Sequence, residues 1–362
     1  MISIRKATLS DKTCWDTYVE QHDDHSPYHL FGWQKAIEDA YHHQNYYLIA
    51  EKSINEIKEV VGVFPLVLFR KPLGKPTLCA LPFCDIGGIL ANDKNIQELL
   101  IIKSKEIALS HQAKEIEIRT RTHNTNQNFE APTGKDSAQK VSMLMSLPEN
   151  SELLFASFKS KLRSQIRKAE KNGLTYKLGS EKIMLDDFYQ VFAHNMRALG
   201  SPVHAKLWFE SLFDQYKDKM IISIVYKDEL PIGAGIVLVA GNKAAIPWAS
   251  TKAEFNRLSP NMMLYWSLLQ DLCDNNISEF DYGRSSYGEG TFKFKQQWGA
   301  KPTPLNWQTF RLDNNHKTPE AEKVIDNTTS GKLREIVESI WRKLPIKVTI
   351  LLGPKIRKYI SL

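Results

Sequence analysis
From Phe280 to Gly299 the chain reads FDYGRSSYGEGTFKFKQQWG, which sets Arg284, Lys293 and Lys295 among Gly283, Gly288 and Gly290. Glycines let a backbone approach a ligand closely, and a lysine held beside them can stabilise a developing oxyanion. Lys293 and Lys295 are the candidates for that charge. Alternation of the FKFK run predicts a strand after the glycine-rich turn, with Lys293 and Lys295 on one face and Phe292 and Phe294 on the other. The bland alternative is a solvated lysine on an edge strand. Asp281 either orients Lys295 or Arg284 or forms a turn, and Tyr287 stands within the same turn. No Ser-His-Asp or Cys-His arrangement has a recognisable spacing, so a covalent acyl-enzyme is not expected. His204, beside Pro202, is either a base or a structural histidine, and Asp85 before Gly87-Gly88 either shapes an acceptor cleft or caps a turn.

A second cationic feature precedes this segment. In FKSKLRSQIRKAEKNGL, beginning at Phe158, the residues Phe158, Leu162, Ile166 and Ala169 fall at helical spacing, and Lys159, Arg163, Arg167 and Lys171 stand four apart beside them. Asn172-Gly173 supplies a left-handed stop. With only Glu152 and Glu170 nearby, residues 151–175 carry about +4, which suits a phosphate-bearing substrate better than a merely soluble face.

These groups need a scaffold, and the sequence writes one twice. Tyr46–Ala50 and Val60–Leu68 read as a strand hairpin followed by a strand at Thr77–Phe83. Ile221–Tyr226, the turn Lys227–Pro231 and Ile232–Val239 repeat the phrase, followed by Ala244–Ala249. A spacing of roughly 170 residues fits a duplicated domain. Helical periodicity at 93–110 and 184–198 completes mixed sheets with helices packed on them, an α+β class. Thr122–Lys140 reads as an exposed loop and Asp313–Gly331 as a linker. The resulting division is 1–145, 146–312, linker 313–331 and a basic amphipathic tail 332–362, in which Lys332–Lys343 forms a helix and Pro345 and Pro354 break the remainder.

The 362 residues carry a formal charge of +7 and four cysteines without metal-ligand spacing, so neither a metal site nor a disulfide framework is expected. The N-terminus lacks the apolar run of a signal peptide, and a cytoplasmic location is the expectation. The tail carries about +6 and Trp341, which points either to docking on anionic lipid or an envelope-assembly partner, or to a structural strap. A basic membrane-peripheral or nucleic-acid-binding module without catalysis would account for the charge but not for the duplicated hairpins.

The phrases GWQKA at 32–36, SKLRSQIRKAEKNGL at 160–174, NMRALGSPVH at 195–204, PWAST at 247–251 and FDYGRSSYGEGTFKFKQQWG at 280–299 resemble, in order and rough spacing, the FemAB family. The resemblance covers about residues 1–310 and is closest to the branch associated with exopolysaccharide and PEP-CTERM protein-sorting systems. It implies two tandem GNAT-like domains. It also implies transfer of an acyl group, commonly aminoacyl from charged tRNA, to an amine or envelope precursor. On the same basis Lys295, with Phe294 before it, takes the functional lysine position. Lys35, Arg197 and Trp248 take substrate-binding positions, although Trp248 stands where peptidoglycan enzymes have Tyr. The long coiled-coil arm of some relatives is missing.

The alternative donor is a coenzyme A thioester. Its pyrophosphate loop in GNAT enzymes has the pattern Gln/Arg-x-x-Gly-x-Gly/Ala at a helix start. Here Arg284 lies one residue too far from Gly288-Glu289-Gly290, and the segment is expected to continue as a strand. The donor and acceptor that the resemblance implies, an aminoacyl-tRNA and an anionic envelope precursor, are therefore the expected partners, with a coenzyme A thioester as the alternative donor.

Overall fold
The computed structural model describes residues 2–55, 57–72, 74–121, 140–312, 320–321 and 328–362. Most of the loop expected at Thr122–Lys140 and most of the linker expected at Asp313–Gly331 lie outside them. The chain begins with β1 (Ile2–Lys6), α1 (Lys12–Gln21), α2 (Phe31–Tyr41), β2 (Gln44–Ile54), β3 (Ile57–Phe69), β4 (Thr77–Cys79), β5 (Leu90–Ala91), α3 (Lys94–Ser110) and β6 (Glu115–Arg121). Next are β7 (Lys140–Ser146), α4 (Ser151–Ser157), α5 (Ser160–Lys171), β8 (Leu174–Gly179), α6 (Met184–Leu199), α7 (Lys206–Tyr216), β9 (Met220–Lys227), β10 (Leu230–Ala240) and β11 (Lys243–Thr251). Then come α8 (Pro260–Asp274), β12 (Glu279–Ser286), α9 (Gly290–Gln297), β13 (Lys301–Arg311), β14 (Glu320–Ala321), α10 (Thr328–Lys343) and α11 (Ile346–Arg357).

Two compact units result: Met1–Glu130 with Thr303–Ile325 and Tyr359–Leu362, and Ala131–Pro302 with Asp326–Lys358. This differs from a division at 145/146. Strand β7 joins the sheet of the second unit, where Met145 faces Phe280 of β12, and β13 joins the first, where Trp307 faces Arg119 of β6. Local sequence shows that a strand exists; which edge it completes depends on partners far along the chain.

In the first unit the strands run β1-β2-β3-β4-β6-β13, antiparallel except for the parallel pair β4 and β6. Leu48, Phe64, Leu66, Leu78 and Ile116 of the sheet pack against Ile96 and Leu100 of α3. That packing is tight enough that a Cβ on Gly62 would come within 2.7 Å of the Ile96 side chain. Strand β4 stops at Cys79, short of the expected Phe83, because Leu81 and Phe83 take left-handed φ values of 54° and 70°.

The second unit repeats the scheme as β7-β12-β11-β10-β9-β8, with β11 and β12 the parallel pair. Helices α6 and α8 both pack on β9, β10 and β11, and every residue of β10 from Pro231 to Leu238 is buried, as its unbroken apolar run requires. The hairpin between β9 and β10 turns on Asp228, φ 56°. Helix α5 ends at Lys171 with Gly173 at φ 70°, the left-handed stop read from Asn172-Gly173.

Helices α10 and α11 pack against α6. Pro345 separates them as expected, but Pro354 lies inside α11 and does not break it. The neighbour Gly353 makes this close packing workable, since a Cβ there would meet the Val203 backbone nitrogen at 2.8 Å. Among the described residues no helix is long and apolar enough to cross a membrane.

Candidate active site
Strands β11 and β12 pair only from Lys243–Glu279 to Ala245–Asp281, then part. In open α/β sheets such a crevice at the carboxyl ends of parallel strands is where ligands bind. The fork opens where β12 carries a bulge. Opposite β7, Asp281 faces Leu144 but Arg284 faces Ser142, so Tyr282 and Gly283 stand against one partner residue. Gly283 has φ 73°, a conformation that would strain any residue with a Cβ.

Two predicted residues fasten this bulge. The buried carboxylate of Asp281 accepts from the Gly283 N–H at 2.8 Å and from the Ser142 hydroxyl at 2.8 Å. The Lys295 ammonium donates to the carbonyls of Gly283 and Arg284 at 3.0 and 2.9 Å, and the residue is only 9% exposed. The Lys295 side chain is thereby fixed where β12 has parted from β11. Arg284, half-buried, leaves the bulge itself, and the Tyr287 ring lies 4.7 Å from Phe292.

The segment after the glycine-rich turn is not a strand. Residues 290–297 form α9, capped by Glu289, whose carbonyl accepts from the Lys293 N–H at 3.0 Å. Over four residues FKFK satisfies either period, and burial of Phe292, Lys295 and Trp298 at three-residue spacing matches the helical one. Lys293 and Lys295 therefore point about 200° apart, the first exposed and the second buried. Phe294 packs edge-on against Tyr265, with ring centroids 5.2 Å apart.

The basic helix reaches the same neighbourhood. The Gln297 amide of α9 donates to Gln165 of α5, and Trp298 packs against Phe158 at 5.5 Å. Arg163 is half-buried, and Arg167 lies 5.3 Å over the Phe155 ring. Trp248 belongs to the β11 arm of the fork, three residues past its last paired position, but turns toward Phe209, His204 and Trp208. His204 is buried, and burial together with the Arg357 charge holds its pKa well below the ordinary value, so the imidazole is neutral and packs as a structural ring. Arg197 donates through Nε to the Leu344 carbonyl at 2.6 Å, a contact with the tail.

Lys35 and Asp85 belong to the first unit. Lys35 pairs with Asp39 at 2.6 Å, which raises its pKa, and lines a cleft of about 580 Å³ with Lys6, Phe31, Glu38, Asn45 and Tyr47. Asp85 accepts through its backbone carbonyl from the Trp307 indole at 3.1 Å, in a loop braced by buried Arg119, which donates to the Cys84 carbonyl.

Sequence reasoning missed Lys252. One residue beyond β11, it is 6% exposed, and burial lowers its pKa against the opposing pull of Glu254 and Asp187. Its only local signal is a lysine directly after an apolar strand. The connection to α8 at the fork's mouth is a second point. Residues 252–259 contain no glycine, Pro260 at the first helical position has no N–H, and the Met262 N–H is spent on the Ser259 carbonyl at 3.0 Å. Few first-turn donors are left, a poor fit to the pyrophosphate of coenzyme A.

Residues 156–296 match the model of the acetyltransferase (GNAT) domain. No curated protein matches the sequence. Among solved structures, a crystal structure of FemX is similar at 16% identity and TM-score 0.68, over 86% of this chain and 98% of that one. A tandem GNAT protein from the clavulanic acid biosynthesis pathway aligns at 10% identity and TM-score 0.52, over 87% and 100%. The C-terminal domain of an Agrobacterium fabrum protein assigned as a lysylphosphatidylglycerol synthetase aligns at 13% and 0.51, over 83% and 92%. The expected α+β, GNAT-type architecture is therefore present, carried by the match of residues 156–296 to the acetyltransferase (GNAT) domain model and by a fold similar to that of FemX over most of the chain's length.

Proposed function
We propose that the chain is an acyltransferase of FemAB type, which passes an aminoacyl or acyl group to an amine of a cell-envelope or exopolysaccharide precursor by direct aminolysis. The observation that carries this reading is the ammonium of Lys295, locked at the fork between β11 and β12 by two carbonyls of the bulge. The acceptor amine attacks the donor carbonyl, the tetrahedral oxyanion forms, and the ester oxygen departs with a proton. A preorganised cation lowers the energy of that oxyanion without reorganising during the step. Arg163 and Arg167 on α5 supply charge for a phosphate-bearing partner, with Arg284 and Tyr287 beside the bulge.

Aminoacyl-tRNA is the proposed donor. The glycine-free, donor-poor entry to α8 supports it over coenzyme A. The correction at α9 removes one sequence argument against coenzyme A, since the glycine-rich turn does lead into a helix. What remains there is its spacing and the carboxylate of Glu289 at the cap, which repels phosphate. The match at 156–296 to an acetyltransferase domain keeps acyl-coenzyme A as the second reading. Calorimetry with acetyl-coenzyme A and filter binding with charged tRNA separate the two. Salt-dependent tRNA binding with weak or absent coenzyme A binding is expected. Micromolar, stoichiometric coenzyme A binding would reverse the assignment.

A further inference from the structure
The tail of the second unit has two faces with different fates. One is fastened to the domain: Trp341, Thr349 and Gly353 are buried, Arg197 holds the Leu344 carbonyl, and a Cβ on Gly200 would lie 2.9 Å from the Glu338 carbonyl. The other is apolar and uncovered. Ile336, Val337 and Ile340 of α10 are 54–57% exposed and fall at positions i, i+1 and i+4, one stripe of the helix. On α11, Leu351 is 65%, Ile356 43% and Leu352 39% exposed. These six are a large share of the sixteen exposed large apolar side chains among the described residues, yet they come from two short helices. Six apolar side chains concentrated on two helices call for a partner, whereas scattered ones would not.

Charge selects that partner. Lys347 and Lys355 are exposed among the leucines of α11, a helix without a single acidic residue. Arg342 and Lys343 close α10, whose two acidic residues are the exposed Glu335 and Glu338, which is half-buried toward Gly200 and pairs with Arg342 at 3.4 Å. The cationic edge is thus carried chiefly by Lys343 and by Lys347 and Lys355 of α11. An apolar strip edged by cations, on helices too short to span a bilayer, has the composition of an element lying in the plane of an anionic membrane surface. We infer that α10 and α11 form a peripheral docking face for anionic lipid, strapped to the domain by α6. This stands independently of the acyl-transfer reading.

Because the opposite face is structural, point substitutions on the exposed face are the test, not truncation. Full-length protein is sedimented with vesicles of phosphatidylcholine alone and of phosphatidylcholine mixed with phosphatidylglycerol. Binding to the mixed vesicles only, weakened by salt, is expected. Lys347→Gln with Lys355→Gln should lower partitioning about thirtyfold at low salt. Leu351→Ser with Leu352→Ser should lower it at least tenfold with an unchanged thermal melt. If that pair alters the melt, Ile336→Ser with Ile340→Ser on α10 answers the same question. Failure of the wild-type protein to sediment with anionic vesicles overturns the inference, as does wild-type partitioning by the folded variants. A dimer seen by light scattering and dispersed by the leucine variants would instead assign the face to a second copy of the chain.

Discussion
Replacing Lys295 by methionine removes a buried ammonium while keeping most of the side-chain volume, so the consequence reports on its two hydrogen bonds. Each bond from a charged donor to a carbonyl contributes roughly 1.5–3 kcal/mol net. The pair at 3.0 and 2.9 Å thus amounts to at least about 3 kcal/mol, since leaving the Gly283 and Arg284 carbonyls without that donor adds to the loss. In a unit of this size each kcal/mol moves the melting temperature by about 2–4 °C, giving a drop of about 6–12 °C. Differential scanning fluorimetry measures it without any substrate. Lys293→Ala, exposed on the opposite side of α9, should stay within about 0.5 kcal/mol of wild type. Turnover, measured well below the lowered melt, should fall a further hundredfold to thousandfold, on the order of 2.7–4 kcal/mol of transition-state stabilisation. A Lys295→Met melt within a degree of wild type would refute the fastening role. Near-wild-type turnover in the folded variant would remove Lys295 from the chemistry.

Three other outcomes are expected. Arg163→Ala and Arg167→Ala should weaken substrate binding with turnover nearly preserved, because a phosphate clamp holds ground and transition states alike; steady-state kinetics decide. Gly353→Ala should cost about 1–3 kcal/mol by forcing α11 off Val203, and limited proteolysis should then cut the tail earlier than in wild type. His29 is buried, and burial, reinforced by the charges of His25, Arg121 and His22, lowers its pKa to about 3. Its folded pKa lies below the unfolded value near 6.5, so its contribution is complete above pH 6.5 and declines as pH falls toward 3. Urea midpoints between pH 6.5 and 4.5, above most carboxylate titration, should fall for wild type and fall less for His29→Asn.

Local chemistry makes much of this legible in the sequence. The hairpins at 46–68 and 221–239 alternate or run apolar over lengths that only strands fit, and Asn172-Gly173 ends α5 by backbone sterics alone. The features that escape depend on distant partners or on segments too short to define a period. FKFK fits strand and helix equally until the burial of Trp298 is known. The partners of Lys295 are carbonyls, which have no letter in a sequence, and Gly283 betrays only that an unusual φ is permitted. The resemblance puts Arg197 at a substrate-binding position, and nothing in NMRAL announces a carbonyl at Leu344. Pro354 reads as a breaker, yet it sits inside α11, because a proline's cost in a helix is set by its surroundings.

The placement of β13 in the first unit sets a schedule for synthesis. Its partners on β6 lie roughly 190 residues earlier in the chain, so the first sheet emerges from the ribosome with one edge unfilled. At about 5–20 residues per second, that edge waits on the order of 10–40 s for its last strand. Phe310 has to arrive opposite Ile116 before the nascent chain finds another strand, its own or a neighbour's, to pair with. A fragment ending near residue 145 never receives it, and should be recovered as aggregate where the full chain is recovered folded.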